Sequence, residues 1–154
     1  EFARLHYRSA ARPILRFINL IHDNAAEKGI QRHCFGAATH YGIDDSVVRA
    51  GLDSFEEARR LADDEVVRAR VEKASVCAYR AAVEDAWLWV EQNRKDLGEK
   101  TIDLAVMERT RPFLRRLFDL CETHGVNRWN EGLKIEEARR LLEQAFGMDE
   151  GESF

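Results

Sequence analysis

The chain has 154 residues, 45% of them apolar and 34% charged, and carries a net charge of −4. That balance suits a globular chain with a real core and excludes a disordered one. Acidic and basic residues are interspersed and the pI is about 5.8. A nucleic-acid binder usually shows a basic stripe and a high pI, so this balance argues against nucleic acid while leaving room for a local basic patch, and no stretch approaches the roughly 20 apolar residues of a membrane span.

Two prolines and nine glycines are little punctuation for a sheet protein. Ala, Leu, Arg and Glu dominate, and all four favour helices. The expected fold is all-α, a bundle of about five to six helices with one long central helix. Three cysteines, Cys34, Cys77 and Cys121, are too few and too scattered for a disulfide framework. Cys77 and Cys121 read as small buried hydrophobes on helices. The chain opens on Glu1 rather than methionine, so the reading expects an excised segment. It is placed outside the cytoplasm if its parent carries a signal peptide.

Phe2, Leu5 and His6 read as the last turn of a helix that began earlier. Ser9 reads as the N-cap of an amphipathic helix from about Ala10 to Lys28, with Ile14, Phe17, Ile18 and Ile21 at helical spacing. Pro13 is tolerable near that helix start, and Gly29 stands where a glycine C-cap belongs. Residues 30–43 are irregular. Asp44 or Asp45 caps the next helix, whose apolar face is Val48, Leu52, Phe55 and Ala62, with Ala58 and Leu61 beside it.

Asp63 and Asp64 then introduce the longest helix, expected to run unbroken to about Arg94, some 45 Å. Its stripe is Val67, Val71, Ala74, Ala78, Ala82 and Ala86. Thr101 or Asp103 starts the following helix, Pro112 marks a kink or a fresh start within it, and His124-Gly125 ends it. Residues 126–134 read as a loop. A final helix spans about Ile135 to Phe146 and stops at Gly147. One helical domain is therefore expected over 1–148, followed by a loose acidic tail over 149–154.

Several groups invite a chemical reading. His33, Cys34 and His40 are zinc-type ligands, but their spacing fits no standard zinc pattern and they read as loop filling. Arg16 and His22 superficially resemble the pair of small helical RNA-cleaving domains. Six residues turn a helix by about 600°, so the two point to different faces. The acidic pairs Asp44-Asp45 and Asp63-Asp64 sit where caps are wanted, and Glu84-Asp85 reads as solvated. No catalytic residue, metal or cofactor is assigned. Trp87 and Trp89 lie about 200° apart on a helix, so one of them is expected at an interface or a sugar-binding face. Trp129, flanked by Arg128, Asn130 and Glu131, reads equally as a ligand wall or as local packing. The candidate ligand or interface residues are therefore Trp87, Trp89, Trp129, Arg128 and Glu131.

The segment Tyr7 to His22 resembles a recurring one in large bacterial proteins, with the pattern Tyr-Gly-x-Ala-Ala; Arg8 stands where that pattern has glycine. Phe55 to Ala58, Asp64 to Ala74 and Phe118 to Gly132 are similar too. These segments resemble the C-terminal helical modules of a glycoside-hydrolase-like family of unknown function, in which a hexosaminidase-like or glucuronidase-like (β/α)8 barrel precedes the helices. The resemblance implies a non-catalytic accessory domain that supports the barrel or an oligomer interface. Its implied partners are the upstream barrel, a carbohydrate and a second copy of the chain. The chemistry would belong to the barrel. The alternative is a free-standing helical protein–protein interaction module.

Overall fold

A computed structural model describes residues 1–31, 36–148 and 154. The fold is all-α. Seven helices are described: α1 (Phe2–Tyr7), α2 (Ala11–Glu27), α3 (Asp45–Leu61), α4 (Glu65–Ala82), α5 (Glu84–Asn93), α6 (Leu104–Thr123) and α7 (Ile135–Ala145). One small hairpin joins them, formed by β1 (Arg128–Asn130) and β2 (Leu133–Lys134). Among the described residues no helix is long and apolar enough to cross a membrane. Within the span expected to be one domain, contacts cluster into two compact units, Glu1–Ala81 and Ala82–Phe154.

In the first unit the core gathers Ala10, Ile14, Phe55, Ala58, Ala62, Val67, Val71 and Ala78, with Tyr7 and Phe17 packed against it. α2 ends as its sequence predicts: Gly29 adopts φ 61 just past the helix, a left-handed value that glycine tolerates. Ser9 does not cap α2. A 3-10 turn, Arg8–Ala10, leads into that helix, and the Ser9 hydroxyl donates instead to the Leu61 carbonyl at the end of α3, 2.6 Å away.

The buried face of α3 holds Phe55, Ala58 and Ala62 as expected and differs from expectation elsewhere. Val47, Gly51, Ser54, Phe55 and Ala58 are buried, whereas Leu61 is 45% exposed. Gly51 explains the rotation. A Cβ there would lie 3.0 Å from the Phe17 ring, so its missing side chain lets α2 and α3 close up. Counting large apolar residues overlooks the small ones that permit such contact.

The long helix expected from Asp64 to Arg94 is two helices. Val83, at φ −107 and ψ 9, leaves the helical region between α4 and α5. Neither glycine nor proline stands at this break, but the buried residues change phase across it. Val67, Val71 and Ala78 keep one helical phase in the first unit, while Val83, Trp87 and Val90 keep another in the second. The five-residue step from Ala78 to Val83 turns an unbroken helix by about 500°, roughly 140° off the stripe.

In the second unit Asp103 caps α6, accepting from the Ala105 amide at 2.9 Å. α6 continues through Pro112 without a break. The segment expected as a loop is the β1–β2 hairpin, its turn closed by the Gly132 amide on Asn130 Oδ1 at 3.0 Å. α7 stops where predicted, with Gly147 at φ 62. Of the expected loose tail, residues 149–153 lie outside the described residues. Phe154 is described and buried, stacked on Phe118 at 5.8 Å and edge-on to Phe146 at 5.1 Å.

Candidate functional site

Of the five residues singled out in the sequence, the structure brings two together. The Trp87 and Trp129 rings lie 4.7 Å apart and tilted, 3% and 9% exposed. Trp87 Nε1 donates to Glu91 at 2.8 Å, one turn on. Packing accounts for both rings: Trp129, at the centre of β1, turns inward onto Trp87 and Phe118. Trp89 is half-buried, and its carbonyl accepts from Asn93. Arg128 and Glu131 project from the hairpin into solvent.

The groups considered for chemistry separate. Arg16 donates to Ser54 Oγ at 3.2 Å and to Glu57 at 2.5 Å. His22 instead lines an apolar groove, so the two do not converge. His33 and Cys34 lie outside the described residues. His40 is described, and its Nδ1 accepts from the Ala37 amide at 3.2 Å. Glu84, expected solvated, is 7% exposed; its neighbour Asp85 is exposed and pairs with Arg109 at 2.6 Å. Cys77, expected buried, is exposed on the groove, with its thiol donating to the Ala74 carbonyl. The apolar atoms around it still raise its pKa. Cys121 is buried as expected, which pushes its thiol up to about 11.

Two caps confirm the assigned role of the acidic residues. Asp64 accepts from the Val67 amide at 2.8 Å and also pairs with Arg8. Asp44 accepts from the Ser46 and Val47 amides, the Ser46 hydroxyl and Lys28 Nζ. The Ser46 hydroxyl, Lys28 and the Val47 amide hold its pKa far below the usual carboxylate range. A depressed pKa contributes stability that is present above the unfolded value and lost as pH falls through the folded one. Acidification from about pH 5 downward is therefore expected to lower the melting temperature, and Asp44→Asn to flatten that slope. Melts across this range compare the two chains; equal slopes would remove Asp44 from the account.

Two concave surfaces of the first unit were not foreseen. One is the apolar groove of about 310 Å³ bounded by Phe17, Ile18, Ile21, Val47 and Val48, with His22 and Cys77 on its wall. The other lies in the elbow where α1 passes through the 3-10 turn into α2. Its volume is about 760 Å³, and Arg4, Arg8, Arg12 and Arg16 line it with Leu15, Leu20, Asn19 and Asp23. The strict four-residue spacing of those arginines was legible in the sequence. The bend that makes them concave was not. Arg8 is the only non-glycine residue with positive φ among the described residues, at φ 45 and ψ −119.

Set against known protein families, characterised proteins and solved structures, the chain finds no match in any of the three.

Proposed function

We propose that the chain is a non-catalytic accessory helical domain of a larger, glycoside-hydrolase-like protein, seated against a (β/α)8 barrel earlier in the same polypeptide. The observation that supports this reading is the backbone at Arg8. Its φ of 45 is a left-handed value that glycine adopts freely and arginine at a cost. That is the position at which the resembling segments carry glycine. Phe2 and Leu5, 72% and 71% exposed on α1, offer an apolar edge for a neighbouring domain to cover.

The test is the mass of the native protein in its source cells, detected with an antibody to this segment. The accessory-domain reading expects a band several times heavier than 17.8 kDa, and expects that purified heavier protein to hydrolyse aryl glycosides that this chain alone leaves intact. A native band near 17.8 kDa would overturn it. The second reading, a free-standing interaction module, would then lead, because the groove beside Phe17 and Val48 is apolar and open.

A further inference from the structure

We infer that the α1–α2 elbow is a binding site for a small organic phosphate or sulfate ester. The chain as a whole carries a net charge of −4, yet four arginines line this one concavity. Two of them are spoken for: Arg8 pairs with Asp64, and Arg16 with Glu57. Glu57 also feels Arg12 and Arg60, and its pKa is lowered first by the Arg16 hydrogen bond. One carboxylate thus answers several cations. Arg4 and Arg12 form no ion pair among the described residues and are exposed. Their charges add to those of Arg8 and Arg16, and an anion placed between them relieves that repulsion.

The geometry favours a tetrahedral anion on an apolar body. A guanidinium offers a planar fork of donors that matches phosphate oxygens in pairs. Arg4 comes from one arm of the elbow and Arg12 from the other, so a bound oxyanion would be gripped from both sides. Leu15 and Leu20 supply apolar wall beside them. Asp23, at the far end of the α2 face, repels an anion there and directs it toward the bend. A cleft of about 760 Å³ falls in the range of small-molecule sites.

The inference is independent of the accessory-domain reading. Its test uses the full chain labelled with nitrogen-15 and follows the arginine Nε–H signals during titration with inorganic phosphate and then phenyl phosphate. Saturable shifts at Arg4 and Arg12 are expected, with phenyl phosphate binding more tightly because its ring reaches Leu15 and Leu20. The Arg4→Gln, Arg12→Gln double variant should keep the helical circular dichroism spectrum and weaken binding by on the order of tenfold or more. Shifts that never saturate, that spread equally to remote arginines such as Arg115 and Arg140, or that persist in the double variant would overturn the site. Failure of phenyl phosphate alongside tight binding of a long polyanion would overturn the small-ligand assignment.

Discussion

Phe55→Ala should cost residues 1–81 about 3–5 kcal/mol of stability, the usual penalty for emptying an aromatic site in a core. Phe55 is 4% exposed, tilts against Phe17 with ring centroids 4.7 Å apart, and belongs to the cluster built by α2, α3 and α4. Gly51 brings Phe17 close on the same side, so the rings have little room to collapse into the void. A loss of that size is a large share of a domain's total stability. All three tryptophans lie in 82–154, so their fluorescence is a poor witness to this damage. Hydrogen exchange on peptides covering 45–61 is the suitable measurement. Protection reduced by less than tenfold there would mean that Phe55 is not a core residue.

The counterpart in the second unit is Trp87→Ala, again expected at about 3–5 kcal/mol. Trp87 joins α5 to the hairpin through Trp129, and Trp129 in turn faces Phe118 of α6. Removing the indole leaves Trp129 beside a cavity, with Glu91 deprived of its donor. The emission of the remaining tryptophans should shift to longer wavelength, and the denaturant midpoint should fall. An unchanged midpoint would place Trp87 outside the core and return it to the list of ligand-binding candidates.

Helix identity was legible in this sequence wherever capping and stop signals are local. Asp44, Asp103, Gly29, Gly125 and Gly147 mark ends that the structure keeps. What the sequence concealed depends on contacts between distant residues. The buried Gly51 follows from how α2 meets α3, and the break at Val83 falls where one phase of buried residues gives way to another. Ser9 has the right chemistry for a cap, yet the Leu61 carbonyl, 52 residues away, takes its hydroxyl. The hairpin at 128–134 was hidden because five strand residues are too few to display an alternating pattern. The four-residue spacing of Arg4, Arg8, Arg12 and Arg16 stands in the sequence, but the bend at Arg8 that makes it concave does not.

The left-handed backbone at Arg8 carries a consequence at the level of the gene. Every arginine codon becomes a glycine codon by a single base change, so a relaxed elbow is always one mutation away. Arg8→Gly should ease the local backbone by roughly 1 kcal/mol while deleting the partner of Asp64. The two effects oppose each other, leaving a variant whose fold is as stable as the parent's and whose elbow holds less positive charge. Such a variant would be nearly invisible to selection for folding alone, and selection for the charge of the elbow would be the force able to tell the two alleles apart.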